Sequence, residues 1–180
     1  MDEEYIECFS CGARSLNLEG ECHEYMLSSA GCYEMFTEVL DREYSDFRYS
    51  KAHHYTVDSY AVQHPGKVSN KKAVNSVGIH LVSLYFLFEK EYDITKSAQV
   101  KMEFAQFNKE NNVIQPIERP EEFKGLTVFE IWDNENPNEH FELCRKWAED
   151  SWNSWGNHHE IIEKWAALFM KKRTEIKINH

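Results

Sequence analysis

The stretch Val74-Asn75-Ser76-Val77-Gly78-Ile79-His80-Leu81-Val82-Ser83-Leu84-Tyr85-Phe86-Leu87 decides the fold class. Val74, Val77, Ile79, Leu81, Val82, Leu84, Phe86 and Leu87 leave no polar face in its second half. A run of this length with helical spacing, apolar nearly all round, predicts a helix over 70–90 that is covered by neighbours on every side. Such a helix belongs in the middle of a bundle. Its longest apolar run, roughly Val77 to Phe88, contains His80 and is too short to span a bilayer.

Working outward, each flank reads as helix. On the N-terminal side, His54 to Val62 forms one, stopped at His64-Pro65-Gly66 because proline and glycine end helices. Before it, Cys32, Met35, Phe36, Val39 and Leu40 recur at helical spacing and predict a helix over 30–43. On the C-terminal side a helix runs from Asp93 to Asn108. Thr127-x-x-Glu130 is a capping box that opens a short helical turn, and it outweighs the strand signal of Leu126–Trp132. The last helix starts at Asn136-Pro137, a capping residue followed by a proline suited to the first turn. Its inward stripe reads Cys144, Trp147, Ala148, Ser151, Trp155, His158, Ile162, Trp165, Leu168, with a kink expected at Gly156. The aromatic residues Trp147, Trp152, Trp155 and Trp165 read as core rather than as a ligand pocket. The expectation is an all-α protein: a bundle of about five helices over 30–170, with a cysteine-bearing N-terminal segment, 1–29, packed on it as part of one domain, 1–180.

Composition agrees. Of the 180 residues, 42% are hydrophobic and 14% aromatic, enough for a full core and too apolar for disorder. The net charge of −11 argues against nucleic acid as a partner, which would need a basic face. The basic run Lys171-Lys172-Arg173 fits a helix C-terminus. Met1-Asp2-Glu3-Glu4 is acidic and no apolar stretch follows it, so no signal peptide or membrane partner is expected, and the compartment expected is the cytoplasm.

In that compartment Cys8-x-x-Cys11-Gly12 reads as metal or redox chemistry before it reads as a disulfide. Two thiolates at this spacing grip one side of a tetrahedral zinc. No second C-x-x-C exists, and the remaining ligands must come from elsewhere. Cys8, Cys11, His23 and Cys32 make a Cys₃His set, with Cys22 also near. Redox use would need a βαβ context that is absent, and the bland alternative is a set of unpaired buried thiols.

A second constellation is spread over the helices. His54 and Asp58 are four apart and share a face. His80 rides the central helix, His64 closes the second, and His158 and His159 lie on or beside the tryptophan stripe. Imidazoles and a carboxylate facing inward from several helices are how bundles build metal sites. Each histidine also has an ordinary reading: His80 as a core histidine bonded to a carbonyl, His64 as a helix terminus, and His54, His158 and His159 as surface residues. The set His54, Asp58, His80 and one of His158 or His159 is expected to converge on one point, with Asp58 as ligand, orienter or base. No Gly-rich phosphate loop, nucleophile elbow or H-E-x-x-H is present.

Cys8-x-x-Cys11-Gly12, the stretch from His23 to Cys32, Thr56-Val57-Asp58-Ser59-Tyr60-Ala61-Val62-Gln63-His64-Pro65-Gly66, Ser76-Val77-Gly78-Ile79-His80-Leu81 and Trp155 through Trp165 together resemble a bacterial family of uncharacterised proteins, a domain of unknown function. The resemblance spans most of the chain and implies that these segments work together, with no activity attached. In architecture alone the bundle is also similar to the DinB-like metal-binding bundles, some of which are thiol transferases.

Two functional readings follow. In the first, the bundle holds zinc or another divalent transition metal with an open position, as in a hydrolase or thiol transferase acting on a small molecule. In the second, the protein is non-catalytic, the cysteines hold a structural zinc, and the His/Asp residues form a satisfied core network. A third arrangement merges them, the cysteines and histidines sharing one metal.

Overall fold

The computed structural model describes residues 5–178, with side chains through Glu175; the acidic Met1–Glu4 and His180 lie outside the described residues. A small antiparallel hairpin comes first, β1 (Tyr5–Glu7) and β2 (Arg14–Leu16), in the register Tyr5↔Leu16, Ile6↔Ser15, Glu7↔Arg14. The rest is helical: α1 (Ala30–Ser45), α2 (His53–Gln63), α3 (Lys71–Phe88), α4 (Ser97–Asn111), α5 (Val128–Asp133), α6 (Pro137–Ser154) and α7 (His159–Ile178). No helix among the described residues is long and apolar enough to cross a membrane.

The helix starts follow local chemistry. Ser29 caps α1, its hydroxyl accepting from the Cys32 amide. Asn70 caps α3 by accepting from Lys72 and Ala73, and Asn136 caps α6 ahead of Pro137. Thr127 and Glu130 form the capping box of α5 with both reciprocal bonds present. Each such cap satisfies amides that the first turn leaves without partners.

The apolar helix α3 is central, packing against α2, α4, α6 and α7. Leu81, Val82 and Leu84 are wholly inaccessible, as are Trp147 of α6 and Phe104 of α4. The final helical stretch departs from expectation. It does not bend at Gly156 but breaks there, and a 3₁₀ turn, Gly156–His158, separates α6 from α7. The physical cause is the α6 terminus: the amide of Trp155 turns back to the carbonyls of Trp152 and Asn153, and its indole buries itself with a bond to the Val62 carbonyl. With α5 counted separately, this break accounts for seven helices among the described residues.

The N-terminal hairpin lies across the start of α1. Gly31, in the first turn of α1, touches the backbone of Leu16, and any Cβ there would overlap the Leu16 carbonyl. The loop after β2 returns along the end of α2, where Leu27 N–H bonds the His64 carbonyl and Met26 bridges Pro65. The hairpin, the start of α1 and the end of α2 therefore meet at one corner of the molecule.

Candidate metal centre

At that corner stand Cys8 and Cys11 from the hairpin turn, Cys32 from the first turn of α1, and His64 from the end of α2. The turn is shaped by its own backbone: Cys8 N–H bonds the Ala13 carbonyl and Gly12 N–H bonds the Cys8 carbonyl. Gly12 closes it at φ +78°, a left-handed conformation that glycine adopts without strain. Ser29 N–H points at Cys8 Sγ at 3.4 Å, and Ser10 Oγ ties the turn to the Gln63 carbonyl at 2.9 Å.

The four donor atoms lie within 4.8 Å of one another. Cys11 Sγ is 3.7 Å from Cys32 Sγ, and His64 Nε2 is 3.3 Å from Cys32 Sγ and 3.7 Å from Cys8 Sγ. A tetrahedral zinc with Zn–S near 2.3 Å and Zn–N near 2.0 Å sets its ligands about 3.5–3.8 Å apart. These three spacings, 3.3–3.7 Å, lie close to the edges of such a tetrahedron, and all four residues are buried.

The tautomer of His64 is set by its surroundings. Nδ1 lies 2.7 Å from the Tyr60 carbonyl, which can only accept, so Nδ1 carries the proton. Nε2 is left with its lone pair toward the three sulfurs, the arrangement in which a metal-ligating imidazole is held from behind. Tyr60 stacks on the ring at 3.9 Å and is itself stacked on Phe36. The thiols compete for one negative charge. Hydrogen bonds from Cys11 and Cys32 hold Cys8 far below the usual thiol range, whereas Cys11 and Cys8, with burial, push Cys32 far above it. Three sulfurs this close can all ionise only beside a cation. The group could hold a metal ion.

The structure brings Cys8, Cys11 and Cys32 together as the spacing suggested, but seats His64 at the fourth corner and not His23. His23 stands instead edge-on to Tyr25 at 4.4 Å. Cys22, half-buried, bonds the Ser28 carbonyl and is also outside the group.

The helix-borne constellation is brought together only in part. Asp58, fully buried, accepts from His80 Nδ1 at 2.7 Å, from Ser83 Oγ at 2.7 Å, from Ser97 Oγ at 3.3 Å and from Lys101 Nζ. Burial pushes the Asp58 carboxyl up, but Lys101 and His80 together outweigh it and hold it well below the usual carboxylate range. His54, one turn earlier, is half-buried and its imidazole is lowered by burial and by the Lys101 ammonium. His158 and His159 go elsewhere. His159 stacks on Trp152 at 3.7 Å and donates from Nε2 to the Trp152 carbonyl, while His158 lies against Trp155. The reason is the break at Gly156, which starts a new helix with a new face. Among the described residues, no metal-capable group contains His54, Asp58, His80, His158 or His159. A lysine ammonium occupies the place beside Asp58 that a cation would take.

A second metal-capable group escaped the sequence reading: Glu43 of α1 with His140 and Cys144 of α6, all buried. His140 Nε2 lies 2.9 Å from Glu43 Oε1 and 3.5 Å from Cys144 Sγ. Thr56 Oγ1 touches Glu43 Oε1 and lies 3.4 Å from Cys144 Sγ, and His53 Nδ1 bonds Glu43 Oε2 at 3.0 Å. The available signal was the i, i+4 spacing of His140 and Cys144, which puts both on one helical face.

Compared with known proteins, residues 6–156 match a family of unknown function (DUF5946). No curated protein and no solved structure matches the chain.

Proposed function

The chain belongs to this family of unknown function, and we propose that it is a structural-zinc protein whose ion is held by Cys8, Cys11, Cys32 and His64. The observation that carries this reading is the tetrahedral spacing of four donors delivered by three separate segments, with His64 Nε2 presented as a lone pair. Zinc suits three thiolates and an imidazole, and a set of four protein ligands is closed. A hydrolase or thiol transferase keeps one position open for water or substrate, and the buried Cys₃His set supplies none. The ion would therefore act as a clamp. It would join the hairpin turn to the start of α1 and the end of α2. The Asp58–His80–Lys101 group then serves as a satisfied polar network between α2, α3 and α4.

The test is elemental analysis of the purified protein together with absorption spectroscopy at the zinc edge. Three sulfurs near 2.3 Å and one nitrogen near 2.0 Å are expected about that ion. A metal-free protein that melts at the same temperature with and without added zinc would overturn the reading.

A further inference from the structure

The two buried carboxylates of the bundle are treated differently. Asp58 has a permanent cation, the Lys101 ammonium, against it. Glu43 has none: among the described residues its ion-pair partners are His53 and His140, neither of which is obliged to carry charge. What surrounds Glu43 instead is a set of metal donors. Glu43 Oε1, His140 Nε2, Cys144 Sγ and Thr56 Oγ1 form a closed ring of four contacts: Oε1 to Nε2 at 2.9 Å, Nε2 to Sγ at 3.5 Å, Sγ to Oγ1 at 3.4 Å, and Oγ1 back to Oε1.

We propose that Glu43, His140 and Cys144 form a second metal site, for a divalent transition metal of the zinc type, independent of the Cys₃His centre. A buried carboxylate without a fixed counter-charge is costly, and a divalent ion is the counter-charge that these donors fit. Carboxylate, imidazole and thiolate are each ordinary zinc ligands. His140 and Cys144, one turn apart on α6, aim at the same point, and Glu43 reaches it from α1, the way facing helices build a bundle metal site. The nitrogen–sulfur edge already has the length a bound zinc would set, and the oxygen–nitrogen edge is a few tenths of an ångström under the expected value of about 3.3 Å. Thr56 supplies the nearest further oxygen. Binding expels the Cys144 thiol proton to solvent and moves the His140 proton from Nε2 to Nδ1, so that a thiolate, a carboxylate and a neutral imidazole face the dication. The site is too buried for a nucleophilic thiol to meet a substrate, which sets this ion apart from a catalytic one.

The experiment is zinc content per folded chain in the wild type, in Cys144→Ser and in Cys11→Ser. If both centres fill, the wild type carries about two zinc ions and Cys144→Ser about one. If only the Glu43 site fills, the wild type carries about one, which Cys144→Ser loses and Cys11→Ser keeps. Either result supports the second site, and only the second speaks against the Cys₃His centre. Cys144→Ser with the wild-type zinc content overturns the second site. Should Cys144→Ser fail to fold, zinc-edge spectroscopy of the wild type decides. A share of zinc bound by oxygen and nitrogen with a single sulfur supports the site, and a spectrum of pure three-sulfur, one-nitrogen coordination overturns it.

Discussion

Cys11 Sγ and Cys32 Sγ stand 3.7 Å apart although 21 residues separate them in the chain. A disulfide would hold them at about 2.05 Å, and both thiols are free. The separation matches the one a tetrahedral zinc would set between two thiolate ligands. If the group holds an ion, as proposed, that ion ties the hairpin turn to α1.

Removing that ion should therefore cost more than local contacts. Cys32→Ser, or treatment with a strong chelator, is expected to destabilise the protein by upwards of about 4 kcal/mol, in the range reserved for lost metals and disulfides. Denaturant melts with and without chelator measure it. Equal midpoints would speak against a structural ion.

Histidine variants separate the corner from the bundle. His64→Ala should release the ion of the Cys₃His centre, because it removes the fourth donor. His23→Ala, His80→Ala, His158→Ala and His159→Ala should leave metal content unchanged, since none of these side chains reaches either metal-capable group. Elemental analysis of the five proteins checks the contrast.

Gly31→Ala places a methyl group against the Leu16 carbonyl, and backbone on both sides cannot yield cheaply. Overpacking of this kind costs about 1–3 kcal/mol, and the backbone obstacle puts the expectation at the upper end. It should also weaken zinc retention, because the hairpin that carries Cys8 and Cys11 is pushed off α1. Gly156→Ala, where an added Cβ meets nothing within 4 Å, is the control and should shift stability by no more than about 0.5 kcal/mol.

The Asp58 network makes a pH prediction. Its carboxyl is held below the ordinary aspartate value by Lys101 and His80, against the opposing effect of burial. A depressed folded-state pKa means that the unfolded chain binds the proton first. The stabilisation is complete above the unfolded value of about 3.9 and is lost progressively as pH falls below it. Asp58→Asn should flatten the acid limb of a stability–pH profile. At neutral pH it should cost about 3–5 kcal/mol, because Lys101 is left without its counter-charge. An acid limb as steep as that of the wild type would contradict this account.

Much of the fold is legible from neighbouring residues. The capping box of Thr127 and Glu130, the Asn136-Pro137 start and the stop at His64-Pro65 are each settled within a few positions, and each helix end falls where they indicate. The three cysteines of the site were legible too, two from the turn that Gly12 closes and the third from its place at the head of α1. The break after Trp155 was not, because what decides it is a long-range bond from that indole to the Val62 carbonyl.

The amino-acid order on its own settled which segments are helices and that α3 is central, and it marked the cysteines near the N-terminus as candidate metal ligands. Helical periodicity, caps and the C-x-x-C-Gly turn are local physics, carried by residues a few positions apart. Tertiary packing alone chose His64 over His23, gave Asp58 a lysine where a metal was expected, and set Glu43 beside His140 and Cys144. These choices depend on how helices distant in sequence rotate and slide against one another. A histidine at position 23 or 64 looks equally available until the end of α2 is docked against the hairpin, where a hydrogen bond from Nδ1 to the Tyr60 carbonyl turns His64 Nε2 toward the sulfurs.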